Sequence, residues 1–435
     1  MKNRIKQYLL AASMCVGLTA CSDFFEPIPG VQFGLDETFA SKQRTEEYLN
    51  NVYSYVREVT DAIHPNTYGG IFTEASLDGA NRWNKTYAEW TNGSFNSASA
   101  QASEYFSKYY QAIAKASTFI QNVDKCTEAA ASTRGKWKSE ARALRAYYYF
   151  ELLRLYGPIP LIGEDPIPLD ASLEELIKER NSVDECVNFI ATELQSAIDS
   201  GDLLQRAGKA NLGRMDVATC MALKAKLYLY WASPLFNGNT DQASVKNKDG
   251  KQLFPQTEDN SKWTQARDAY ERFMTFATGQ GYKLTEVYTN GKLDPYASCR
   301  AAGEFFTTTW EAVDELIFVK LRDLYDYTYW VCPKFTDFQD TDVTGGGGYY
   351  TTQETVDLFF TKDGLTIEED PGYDKFEGIP SANNFTSGRY YDPNNPSRLY
   401  FDADKSKVLK QWKDREPRFY VNITYSGSIW LNEGK

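Results

Sequence analysis

The chain has 435 residues, room for one large or two to three ordinary domains, and a formal net charge of −12. So acidic a chain, without a basic patch, repels polyanions and argues against a nucleic-acid partner. His64 is its single histidine, which excludes any catalytic or metal site that needs two.

At the N-terminus Lys2, Arg4 and Lys6 precede a short apolar run from Tyr8 to Ala20, closed by Leu18-Thr19-Ala20-Cys21. A membrane-spanning helix needs about 20 consecutive apolar residues, so this shorter run reads as a secretory signal peptide over residues 1–20. Small residues directly before a cysteine resemble a bacterial lipobox. Cys21 is then the expected lipidated first residue of the mature chain, and residues 21–35 its tether. Beyond Cys15 and Cys21 the cysteines are Cys126, Cys186, Cys220, Cys299 and Cys332. They are odd in number and form no CxxC pair, which fits neither a disulfide framework nor zinc, and most read as small core residues.

Residues 36–280 read as mostly helical. Asp36 is the expected N-cap of a helix reaching about Glu58. Trp137, Ala141, Leu144, Tyr148, Leu152 and Leu155 recur every three or four positions, a single apolar stripe on a helix that ends at Gly157-Pro158. Ala218, Ala222, Ala225, Leu229 and Ala232 form a second stripe, stopped near Pro234. Its alanines let a neighbouring helix approach closely. Further helices are expected near 101–124, 182–200 and 263–278. Trp137, Trp231 and Trp263 fall on these patterns and are expected in the core. Paired helices of this kind predict a mainly α fold of tetratricopeptide-like hairpins forming a solenoid, without a clean repeat.

The texture changes over residues 281–435. Asn290-Gly291, the run Gly345 to Gly348 and Asp392-Pro393-Asn394-Asn395-Pro396 are loop signals, interrupted by short elements near 315–320 and 352–360. Long irregular segments on a helical scaffold are where binding usually sits. The glycine run lacks the lysine of a phosphate-binding loop. Asp340-Thr341-Asp342 opens like a calcium loop, but Thr351 stands where the bidentate glutamate belongs. No metal or cofactor is expected.

The segment Glu140-Ala-Arg-Ala-Leu-Arg-Ala-Tyr-Tyr-Tyr-Phe-Glu-Leu-Leu-Arg-Leu-Tyr-Gly-Pro-Ile-Pro160 resembles the signature helix of the SusD/RagB family of Bacteroidetes outer-membrane lipoproteins. Residues 218–232, the segment Gln353 to Gly364, and Arg415-Glu-Pro-Arg-Phe-Tyr420 continuing to Trp430 are similar to the same family in the expected order. Members usually continue well past this point, so the resemblance implies that the region 281–435 is incomplete at Lys435. It also implies a non-enzymatic protein at the cell exterior. Such a protein captures oligosaccharide or polysaccharide and delivers it to a SusC-like TonB-dependent outer-membrane barrel.

Sugars present C–H faces to aromatic rings and hydroxyls to polar side chains. One candidate cluster is Asn81, Arg82 and Trp83 with Trp90, in a polar stretch without a helical stripe. Arg82 is able to donate two parallel hydrogen bonds. The other draws on Tyr288, Tyr296, Tyr325, Tyr327, Tyr329 and Trp330, of which Tyr296, Tyr327 and Trp330 are the leading ligand contacts. Each ring has an alternative place in a packed core. Three rival functions stay open: a binder of peptide or glycoprotein fragments on the same fold, a helical protein scaffold, and a carbohydrate-active hydrolase using two of the many carboxylates.

Overall fold

The computed structural model describes residues 34–57, 76, 79–81, 93–163, 167, 171–303, 314–320, 349–376 and 378–429. The fold is predominantly helical, with only two-stranded ribbons among the described residues. Helices α1 (Leu35–Ala40) and α2 (Lys42–Tyr53) stand where one helix to Glu58 is expected. Ser41, in extended conformation, separates them, and Gly34 rather than Asp36 is the N-cap. Asp36 lies in the first turn, paired with Lys125 at 2.8 Å.

After strand β1 (Ala80–Asn81) comes the helical stack: α3 (Ala100–Asn122), α4 (Ala131–Tyr156), the short α5 (Leu173–Leu176), α6 (Val183–Asp199), α7 (Val217–Ala232) and α8 (Ser261–Gly279). Apart from α5, each helix packs on the next, α3 on α4, α4 on α6, α6 on α7 and α7 on α8, in the manner of tetratricopeptide hairpins. Local chemistry sets their ends. Ser182 and Glu185 form a reciprocal capping box at the start of α6. The Asp216 carboxylate accepts the Thr219 amide at 2.7 Å at the start of α7. Gly157 ends α4 at φ 68°, a conformation that costs an L side chain energy.

Helix α4 is where the single-stripe expectation fails. From Ser139 to Leu153 every residue but Arg142 is buried between α2, α3 and α6, so most polar residues of this stretch are interior groups rather than a solvated face. The Arg145 guanidinium is fully enclosed and donates to Glu193 and to the Ser117 hydroxyl. Glu140 accepts from the Tyr53 hydroxyl at 2.8 Å and from Arg214 at 3.2 Å. Burial pushes the Glu140 carboxyl up, while the Arg214 charge pulls it back. Glu151 meets Arg154 at 2.9 Å. The three consecutive tyrosines diverge: Tyr147 accepts from the Arg57 amide, Tyr148 donates to the Val52 carbonyl, and Tyr149 donates to the Ile162 carbonyl. These contacts give the signature helix a physical reason for its sequence.

In the second stripe Ala218, Ala225 and Ala232 are buried, but Leu229 is 39% exposed. Trp137 and Trp231 lie in the core as expected, whereas Trp263 is 42% exposed. The seam of α8 runs through Lys262, Ala266, Ala269, Phe273 and Ala277, one position round from Trp263. Lys262 occupies the seam by burying its stem, with its ammonium 4.4 Å above the Trp231 ring and 3.0 Å from Asp184. Cys126, Cys186 and Cys220 are buried free thiols.

Beyond the stack, Asn290 and Gly291, both at positive φ, turn the ribbon of β2 (Tyr288–Thr289) and β3 (Lys292–Leu293). Residues 315–320 form turns rather than a helix or strand. Helix α9 (Pro295–Gly303), strand β4 (Tyr349–Tyr350) and the short α10 (Gln353–Asp357) follow. Then come β5 (Phe385–Thr386), β6 (Arg389–Asp392), β7 (Asn395–Asp402), β8 (Val408–Leu409) and α11 (Pro417–Asn422). The Pro393 region, expected as loop, is the tight turn between β6 and β7, whose register is broken by irregularities beside Tyr391. A second, small core gathers here around Tyr400, Phe401 and Val408, joined by Tyr390, Trp412, Tyr420 and Tyr425. The rings of Tyr400 and Tyr420 stack with centroids 3.9 Å apart. Much of the aromatic surplus is therefore used in packing.

Candidate functional site

Two places in the structure gather the roots of the segments expected to bind. In the first, β1 pairs antiparallel with β4, Ala80 opposite Tyr350 and Asn81 opposite Tyr349. Because the strands run in opposite directions, the chain leaves Asn81 and arrives at Tyr349 at the same end of the ribbon. The segment that begins at residue 82 and the segment that ends at residue 348 thus share one root. Asn81 stands at that root. Arg82, Trp83 and Trp90 in the first cluster, and Tyr327 and Trp330 in the second, lie outside the described residues, as do Cys21 and His64.

In the second place, the Lys320 ammonium donates to the carbonyls of Ser54 and Val56, the latter at 2.6 Å, at the end of α2. Gly213 at φ 80° makes room for this strap, since a Cβ there would lie 2.8 Å from the Val319 carbonyl. The Thr219 hydroxyl also donates to the Ile317 carbonyl. A cavity of about 270 Å³ opens between the strap and α2, with Asn50, Tyr53, Arg214 and Lys320 in its wall. The segment 321–348 therefore starts from a fixed point on the helical stack and ends at the ribbon.

Tyr296 is brought to neither place. Its ring belongs to the second core, 5.5 Å from that of Tyr400, and the Arg398 guanidinium lies 4.2 Å from its centroid. Arg398 also bonds Asp294 through both terminal nitrogens, at 2.9 Å each, and Asp392 at 2.6 Å. These hydrogen bonds from Arg398 hold the buried Asp294 carboxyl down to about 2. Tyr288, by contrast, is 59% exposed, with its hydroxyl donating to Glu286. Sequence reasoning passed over Tyr350, 55% exposed on the ribbon itself. The adjoining Tyr349-Tyr350 pair after a glycine run was the available signal.

An apolar groove of about 430 Å³ lies elsewhere, between α3 and the segment 160–178, with Phe106, Tyr110, Ile113, Ile162 and Ile177 in its walls. Among the described residues no group of three or more His, Cys, Asp or Glu side chains is placed to hold a metal ion. No described helix is long and apolar enough to cross a membrane.

Two family models match the chain in order. "Starch-binding associating with outer membrane" covers residues 32–229, and "SusD family" covers 315–435. Together they take in well over half of the sequence. The chain belongs to the SusD/RagB family. A SusD-like protein of Bacteroides ovatus is 27% identical over 175 residues, 39% of this chain and 30% of the relative. The solved structure of BT4246 superimposes with a TM-score of 0.69 at 23% identity, covering 88% of this chain and 64% of that one. A SusD-like carbohydrate binding protein from Bacteroides fragilis gives a TM-score of 0.53 at 16% identity, covering 78% and 57%. The SusD-like fold is thereby shown, and this chain spans less than two thirds of the length of each of these proteins. The segment that resembles the family's signature helix is α4, whose Glu140 and Arg145 bond inside the stack.

Proposed function

We propose that this chain captures glycan at the cell exterior, held by a lipid on Cys21 in the outer membrane, and hands it to a SusC-like TonB-dependent barrel. Binding, not catalysis, is its role. The observation that carries the reading is the β1–β4 ribbon, because it roots the segment of Asn81, Arg82, Trp83 and Trp90 beside the segment of Tyr327 and Trp330. Rings and a guanidinium in the sequences of these two segments suit a sugar chain, which offers an apolar face and hydroxyls together. The family description of starch binding supports the same ligand class.

The test is native affinity electrophoresis of the purified chain through a panel of polysaccharides. Retardation by one class is expected, and Trp83→Ala or Trp330→Ala should weaken it by about 0.5–1.5 kcal/mol each beyond lost burial. Normal migration in every gel ends the glycan reading. A second reading, a peptide or glycoprotein fragment as cargo, is favoured by the apolar groove along α3, and protection of that groove by a peptide library would support it.

A further inference from the structure

The C-terminal region holds a polar cavity of about 350 Å³, built from the loop after α10, β5 and the turn before α11. Resting on the glycan reading above, we propose that this cavity is a second glycan subsite, and that it takes one unit of a neutral sugar chain.

Its walls mix opposite charges, of which only Lys362 and Asp363 form a close pair, at 2.8 Å. Lys410 stands 3.5 Å from Asp374, a loose pair. The Lys413 ammonium has no carboxylate within ion-pair distance among the described residues and lies 5.4 Å from the Tyr390 ring centroid. Asp414 accepts from the Tyr390 hydroxyl through one oxygen at 2.9 Å, and among the described residues the other has no hydrogen-bond donor. Asp370 accepts the Gly372 amide at 2.8 Å. Such a wall offers donors and acceptors side by side. A sugar hydroxyl donates and accepts at once, so adjacent hydroxyls bridge a carboxylate and an ammonium as no simple ion does.

The floor beneath is fixed before any ligand arrives. The buried Arg415 donates to the Tyr373 hydroxyl at 2.7 Å and to the carbonyls of Val356 and Phe359. The Tyr373 hydroxyl donates in turn to the Gln411 carbonyl at 3.1 Å, and the Lys362 amide to the Asp414 carbonyl at 2.8 Å. A rigid floor keeps the ordering cost of binding low. The size lies at the small end of small-molecule sites, which fits one ring rather than a long segment. The lining carries one more carboxylate than ammonium, which disfavours uronate or sulfated units and gives no strong pull on cations.

Isothermal titration of the full chain with the retarding polysaccharide tests this. Asp370→Asn and Lys413→Met, both on accessible positions, should each weaken binding about tenfold while leaving the thermal transition in place. A preference for neutral over uronate-containing polysaccharide is also expected. If both variants bind as tightly as the parent while Tyr350→Ala does not, the glycan reading survives and the second subsite falls. Preference for an acidic polysaccharide also overturns it, and a parent chain that binds no polysaccharide removes both.

Discussion

Arg145 in the helical stack and Arg398 in the C-terminal region each anchor a polar network, but in different surroundings. Arg145 is sealed among helices and meets Glu193 and Ser117 with no solvent contact. Arg398 sits at an edge, one face over Tyr296, with its nitrogens shared between Asp294 and Asp392 and a fifth of its side chain exposed. The stack draws cohesion from long helices with small seams, so Arg145 at its interior is wholly dependent on protein partners. The C-terminal core has little aliphatic material and relies on stacked rings, with ion pairs closing its rim. Regular periodicity made the first kind of core visible in the sequence; the second kind has no period to read.

The sharpest way to break this contrast is Arg145→Ala. Glu193 would be left buried with only the looser Arg142 contact at 3.6 Å, a loss of about 3–5 kcal/mol in denaturant unfolding. A change below about 1 kcal/mol would mean that the stack tolerates water at its centre. Tyr400→Ala removes the ring stacked on Tyr420 and should cost about 3 kcal/mol. If near-ultraviolet dichroism of the C-terminal tyrosines stayed unchanged in that variant, the aromatic core would not be the cohesive unit described. The rim contributes next. Asp294 ionises at about 2 when folded against an ordinary value of 3.8. Its contribution, about 2 kcal/mol, is full above pH 4 and is lost as the pH falls through 2, and Asp294→Asn should flatten that limb of the acid-unfolding curve. Smallest of all, Trp263→Ala should change stability by less than about 0.5 kcal/mol, where Trp137→Ala costs about 3–5. Equal losses would place Trp263 back on the seam.

The positions of α3, α4, α6, α7 and α8 were legible because apolar residues at three- and four-residue spacing leave a helix little choice. What the stripes did not show was how many sides each helix buries. The stripe said nothing of Glu140, Arg145 and Glu151, whose partners Arg214, Glu193 and Arg57 lie far along the chain. Trp263 was misread for a related reason: a lysine with a long apolar stem held the seam, and hydrophobicity alone does not reveal that. For the candidate site, the sequence pointed to two clusters of rings and polar groups but not to the ribbon that pairs residues 80–81 with 349–350. A pairing between two-residue strands leaves almost no trace in composition. Tyr296 was drawn in by its aromatic neighbours in sequence, and its actual neighbours, Tyr400 and Arg398, come from a hairpin a hundred positions later.

The ribbon between residues 80 and 350 also sets an order of events. It closes a loop containing α3 to α9, held by only two residues on each side, so its few hydrogen bonds reward the chain only after the intervening stack has packed. The ribbon is therefore expected to form late and to open early. Ligand capture would fade on heating before the helices melt, and a bound sugar chain bridging both segments would act as the missing clasp of that loop.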